Sequence, residues 1–189
     1  QLWQTDFTYL KITGWGWYYL STMLDDFSRY IVTWRLGPTM CASDVTATLD
    51  QALAASGLDH ITVTQRPRLL SDNGSSYVAD DLAKWLEGKS MEHVRGAPYH
   101  PQTQGKIERW HQTLKNRILL DNYYLPGDLE RQVRAFVDHY NHVRYHESID
   151  NLTPADLYFG RAEAILDERK RIKHDTIANR RLQHQLQAA

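Results

Sequence analysis

Three acidic side chains occupy places where a carboxylate needs a reason. Asp6 lies in WQTDFTY, among aromatic residues, where an unpartnered charge is costly to bury. Asp72 closes an apolar run in LLSDNGS, and Glu108 falls in the first turns of a helical pattern that follows the proline-broken stretch PYHPQTQG. Singly, two of them have ordinary explanations: Asp72 precedes Asn-Gly and suits a turn, and Glu108 suits the positive end of a helix. Together they make three oxygen donors, with no nitrogen or sulfur ligand of comparable placement, a set suited to a hard cation, Mg²⁺ or Mn²⁺. Two such ions roughly 3.5–4 Å apart can hold the attacking and leaving oxygens of an in-line phosphoryl transfer, so no protein nucleophile is required.

The helix that carries Glu108 has a second pattern. Gln104, Glu108, Gln112 and Lys115 share one polar stripe, while Ile107, Trp110, Leu114 and Ile118 make the apolar one. An acid flanked by amides and a cation suits a helix lying along a phosphate backbone. The same stripe on an unrelated protein is a solvated face.

The elements that must position these groups are legible in outline. Leu2 to Ile12 and Trp17 to Leu24 read as strands joined at Gly14-Trp15-Gly16, and Tyr30 to Leu36 completes an antiparallel meander after the turn Asp25-Asp26-Phe27-Ser28-Arg29. A helix capped by Ser43 or Asp44 runs to about Ser56 and buries Val45, Leu49 and Leu53. Pro67 to Ser71 reads as an interior strand reached by a crossover, Val78 to Leu86 as a helix and Met91 to Val94 as the last strand. Helices follow the Gly96 to Gly105 loop: one to about Leu120, one from about Leu129 to Val143, and a short one after Thr153-Pro154. The order predicts an α/β domain, a five-stranded mixed sheet with helices on both faces. If its first and fourth strands are neighbours, Asp6 and Asp72 meet, and a helix across that end brings Glu108 within reach.

Bulk properties set the frame. A chain of 189 residues, 42% hydrophobic and 24% charged, suffices for one domain with its own core. The single cysteine, Cys41, excludes an intrachain disulfide framework and a cysteine-rich zinc site. No apolar run approaches the roughly 20 residues that cross a bilayer and no signal segment opens the chain, so a cytoplasmic protein without a membrane partner is expected. The net charge of -1 argues against coating nucleic acid by bulk electrostatics, but Arg95 to Arg117 and Arg161 to Arg181 lean basic. From Arg161 the chain reads as a basic helical tail. His139, His142 and His146 have a spacing that could hold zinc, but no acidic or cysteine partner completes a site, and Asp25 and Asp26 are explained by their turn.

The segments around Asp6, Asp72 and Glu108, with 35 residues between the last two, resemble the three catalytic segments of the retroviral-integrase superfamily. Within it, DDFSR from Asp25, the Tyr140-Asn141, Arg144 and His146 pattern, and Thr153-Pro154-Ala155-Asp156 are similar to bacterial insertion-sequence transposases. The resemblance implies a ribonuclease H-like fold over residues 1–160, with 161–189 as the tail and a DNA-binding domain expected N-terminal to it. It implies that Asp6, Asp72 and Glu108 bind two Mg²⁺ (or Mn²⁺) ions and catalyse donor-end cleavage by water, then attack of the 3′-hydroxyl on target DNA. Lys115 matches a DNA-contacting position, and Tyr99 and Gln104 match loop positions near the DNA end. Element-end and target DNA are the implied partners, in a homodimer or higher homo-oligomer, cytoplasmic and associated with the bacterial nucleoid. One rival is a nuclease of the same fold acting on RNA in hybrids, disfavoured by the PYHPQTQG loop and by the lysine after the glutamate. The other is a domesticated or decayed transposase kept as a DNA-binding or oligomerisation module, against which the intact carboxylates argue.

Overall fold

A computed structural model describes residues 1–58, 66–96 and 104–187. The meander expected from sequence is there: β1 (Leu2–Ile12) pairs antiparallel with β2 (Gly16–Asp25), and β2 with β3 (Ile31–Gly37). After α1 (Ala42–Ala55) the chain crosses to the free side of β1, where β4 (Arg68–Ser71) pairs parallel to it. α2 (Asp80–Gly88) leads to β5 (His93–Arg95), parallel to β4. The sheet order is therefore β3-β2-β1-β4-β5, five strands of mixed direction. α3 (Gly105–Ile118), α4 (Pro126–His142), α5 (Pro154–Tyr158) and α6 (Ala162–Gln187) follow.

Alternation along the strands divides the apolar side chains between two faces. On one, Leu10, Ile12, Leu20 and Leu24 pack against Ile107, Trp110 and Leu114 of α3 and Leu129, Val133 and Val137 of α4. On the other, Trp3, Met23 and Leu69 pack against Val45, Leu49 and Leu53 of α1 and Leu82 and Leu86 of α2. Helices thus cover both faces, as the element order predicts.

Several boundaries differ from the sequence reading, each for a local reason. α1 is capped at Cys41; Asp44, expected as a cap, is three residues on, where its Oδ2 accepts the Cys41 N–H at 3.0 Å. Helix α2 starts at Asp80 and not Val78, because the amides of Tyr77 and Val78 both donate to the Gly74 carbonyl in a preceding turn. α4 starts at Pro126, three residues early, since proline fits the first turn where no intrahelical N–H is needed.

Asn141 and Gln4 serve as backbone partners for distant elements. Buried Asn141 on α4 accepts the Ile31 N–H at 2.9 Å and donates to the Ile31 carbonyl at 3.0 Å, fastening the start of edge strand β3 to the helix layer. Gln4 on β1 accepts the Ile107 N–H at 3.1 Å through Oε1 and donates to Asp26 Oδ1 at 2.7 Å. Lys106 then donates to the Asp26 carbonyl and carboxylate at 2.7 and 2.9 Å. The first turn of α3 is thereby tied to the sheet beside Asp6. α6 by contrast buries none of its residues.

Candidate active site

Asp6 and Asp72 come together through strand register. β1 and β4 pair Leu2 with Arg68, Trp3 with Leu69 and Gln4 with Leu70; continued two residues, the same register sets Asp6 level with Asp72. Adjacent strands run about 4.8 Å apart, so the expected meeting of strands one and four brings the two acids to one end of the sheet.

Each carboxylate is held by its neighbours. Asp6 Oδ1 accepts the Phe7 N–H at 2.8 Å, and Asp6 Oδ2 lies 3.4 Å from Nδ1 of His111 on α3. Asp72 Oδ1 accepts the Gly74 N–H at 2.9 Å, and a Cβ on Gly74 would come within 3.0 Å of that oxygen. Glycine at this position leaves room for the carboxylate. The Asp72 loop is pinned to the end of β5, where Asn73 donates to the Gly96 carbonyl at 3.1 Å and the Gly96 N–H returns to Ser71 at 3.0 Å.

The buried phenol of Tyr77, which packs on Phe7, lies in the field of both acids. Burial pushes its pKa well above the usual tyrosine range, and the charges of Asp6 and Asp72 push it the same way. One buried hydroxyl thus feels the charge of both carboxylates.

Glu108 is exposed in the first turn of α3, one helical turn from His111. The three acids do not close on one another: among the described residues, no group of three His, Cys, Asp or Glu side chains is gathered tightly enough to hold a metal ion. By strand register Asp6 and Asp72 fall at one end of the sheet, and Glu108 lies in the first turn of α3 with its side chain open to solvent. The donor chemistry, carboxylate oxygens at a partly exposed sheet end, fits a hard divalent cation.

The expected polar stripe is only partly present. Gln112 is exposed and donates to Asn116 Oδ1 at 2.7 Å, and Lys115 places Nζ 4.2 Å from the ring centre of Tyr9. Gln104 departs from the stripe: it is buried at the start of α3, so it presents no amide to a ligand outside. Tyr99 lies outside the described residues. His111, which the sequence reading passed over, is 7% exposed, and its Nε2 has no hydrogen-bond partner among the described residues. The signal that would have found it is a histidine on the apolar stripe, three residues after the glutamate.

The remaining acids and histidines have structural surroundings. Asp25 Oδ2 accepts both the amide and the hydroxyl of Ser28, at 2.9 and 2.6 Å. His139 and His142 sit in the last turn of α4, while the His146 ring packs edge-on to Tyr140 at 4.7 Å.

This sheet, with an acid on its first strand and another at the end of its fourth, defines a ribonuclease H-like domain. The chain belongs to the integrase core domain family: two models of that description match residues 1–101 and 89–154. Among curated relatives, the Gag-Pro-Pol polyprotein of mouse mammary tumor virus is 29% identical over 145 residues, 74% of this chain and 8% of the polyprotein. The transposase for insertion sequence element IS629 of Shigella sonnei is 29% identical over 160 residues, 82% of this chain and 51% of that protein. The chain therefore spans about half the length of that transposase and a small part of the viral polyprotein. The fold matches the HTLV-2 integrase catalytic core domain in complex with magnesium, in its trimeric form, with a TM-score of 0.64, 19% identity, and coverage of 82% of this chain and 94% of that one.

Proposed function

We propose that this chain is the catalytic core of a bacterial insertion-sequence transposase, which cuts DNA at the element's ends and joins the freed 3′-ends to target DNA. The observation that carries the reading is the β1–β4 register in a chain of the integrase family; continued two residues beyond Gln4 and Leu70, it would set Asp6 level with Asp72. The IS629 transposase, 29% identical over 82% of this chain, supports the transposase reading. On this reading residues 1–160 are the core and 161–189 a basic tail, working on element-end and target DNA in the bacterial cytoplasm as a homo-oligomer. The trimeric form of the HTLV-2 core supports self-association.

In the first step water adds to phosphorus at the element end and the 3′-oxygen leaves with a proton. In the second, that 3′-hydroxyl attacks a target phosphodiester in line and displaces the target's own 3′-oxygen. Asp6, Asp72 and Glu108 would hold two Mg²⁺ ions, which when bound supply Lewis-acid stabilisation of the attacking and leaving oxygens. The magnesium in the HTLV-2 core supports that choice of ion. His111 and the Gly74 amide orient Asp6 and Asp72, while Gln112, Lys115 and Tyr99 contact the DNA.

The test uses a branched DNA that mimics the strand-transfer product, which relaxes the need for end recognition. With Mn²⁺ or Mg²⁺ the wild type should resolve the branch, and Asp72→Asn should lose at least about 100-fold of that rate, as expected when a group acting only in the transition state is removed. A folded wild type that is inert with both metals would sink the reading.

A further inference from the structure

The sheet carries a second surface of chemical character beside the carboxylates. Past Phe7, one face of β1 and β2 stays open among the described residues, with Tyr9, Lys11 and Trp17 all exposed. Cross-strand partners share a face, so Tyr9 opposite Tyr19 and Lys11 opposite Trp17 lie together on it. Tyr9 is 56% exposed and Trp17 52%, although large aromatic rings normally seek burial. Their ring centres are 5.3 Å apart, edge to face, which fixes both rings while leaving half of each in solvent.

Charge on this face has one sign. Lys115 reaches over from α3 to stand on the Tyr9 ring, Lys11 is exposed beside Trp17, and past Phe7 the paired residues of this hairpin face, Tyr9, Tyr19, Lys11 and Trp17, include no acid. The strip is also continuous with the candidate active site. Phe7 lies between Asp6 and the strip and packs on Tyr77 at 5.9 Å, the same tyrosine that feels both Asp6 and Asp72. Lys115 lies two helical turns beyond Glu108 on α3.

We infer that this face, centred on Tyr9 and Trp17 with Lys11 and Lys115 at its rim, binds unpaired bases of single-stranded DNA next to the carboxylates. Exposed aromatic rings on a sheet offer stacking platforms for bases whatever their identity, and the rim cations meet the phosphates between them. A duplex keeps its base faces stacked internally and cannot use such a platform. The occupant is therefore a frayed end or a displaced strand. The inference rests on the transposase reading only for the choice of DNA as the polymer; stacking requires no metal and no catalysis.

The experiment is anisotropy of a fluorescein-labelled oligo-dT of about 12 nucleotides, a length within the site sizes of such platforms, in EDTA with the full 189-residue chain. Trp17→Ala and Tyr9→Ala should each weaken binding about tenfold, and Trp17→Phe by less than about threefold, since base stacking on an aromatic ring tolerates the exchange. An abasic strand of equal length and charge should bind the wild type about as weakly as oligo-dT binds Trp17→Ala. Thermal melts establish that each variant is folded; if Trp17→Ala is not, Tyr9→Ala and the abasic strand decide the question. Equal binding of oligo-dT and the abasic strand, or wild-type affinity in both folded alanine variants, overturns the inference. So does a Trp17→Ala change that alters sedimentation and not oligonucleotide affinity, because the face would then join two copies of the chain. Stacking that holds in a protein inert on branched DNA would overturn the catalytic reading and leave this one standing.

Discussion

Asp6 is the residue on which the site turns, and His111 is what the sequence conceals about it. The spacing of the three acids and the aromatic setting of Asp6 are visible in the chain, because a carboxylate among aromatic rings contradicts the local pattern. His111 contradicts nothing so plainly: it occupies a position of the apolar stripe that a helical histidine can share. Only the folded chain sets its Nδ1 3.4 Å from Asp6, with Nε2 buried and unpartnered among the described residues. A buried polar atom without a partner is costly. His111→Leu should therefore leave the melting temperature unchanged or slightly raised, while Mn²⁺ affinity read by titration calorimetry falls several-fold because Asp6 loses its support, as outer-sphere partners of metal ligands generally cause. Unaltered Mn²⁺ affinity and branch resolution in a folded His111→Leu would dismiss the positioning role. Gly74 tests the other acid. A Cβ there crowds Asp72 Oδ1 at 3.0 Å, and because the side chain can shift, Gly74→Ala should lower branch resolution more than it lowers stability. A melt that drops with activity intact would reverse that assignment.

At the scale of elements, the sequence reading succeeds where periodicity is long and falters where tertiary hydrogen bonds decide. β1, eleven residues rich in aromatic and β-branched side chains whose burial alternates from Thr8 to Ile12, is legible throughout. The start of β3 and the anchoring of α3 are not, because each depends on one amide from a distant element. Asn141 stands in for a missing strand at Ile31, and Gln4 stands in for a helix cap at Ile107. Neither role leaves a local signature in the chain. Asn141→Leu removes both bonds and strands the buried Ile31 N–H and carbonyl, which should cost about 2–4 kcal/mol. For a chain of this size that lowers the melting temperature by roughly 5–15 °C. A loss of less than about 1 kcal/mol in denaturant melts would show that the edge strand is held by its β2 pairing alone.

For the molecule as a whole, stability resides in the two apolar layers around the sheet, and the tail stands outside both. α6 contributes no buried residue, and among the described residues its last hydrogen bonds to the body come from Arg169, which donates to the Asp150 and Asn151 carbonyls at 3.1 Å. Deleting residues 170–189 should shift the melting temperature by less than about 3 °C, the equivalent of roughly 1 kcal/mol; a larger drop would mean that the tail packs on the core in solution. Acid should act elsewhere. Burial, then the charges of Arg144 and Arg29, holds His146 down to a pKa of about 4, against 6.5 for the free side chain. Between those values the unfolded chain binds the proton and the folded chain does not, so unfolding takes up a proton and becomes easier as pH falls. His146 thus withholds nothing from stability above pH 6.5 and exerts its full destabilising effect once the pH has dropped through 4. Melting temperature should decline across that window. His146→Gln, which cannot charge, should flatten the decline, leaving the part due to groups shifted the same way, such as His93, whose burial also lowers its pKa. An equally steep decline in His146→Gln would mean that the ring already meets water in the folded chain, and that the α4 end beside Tyr140 is more open than its packing indicates.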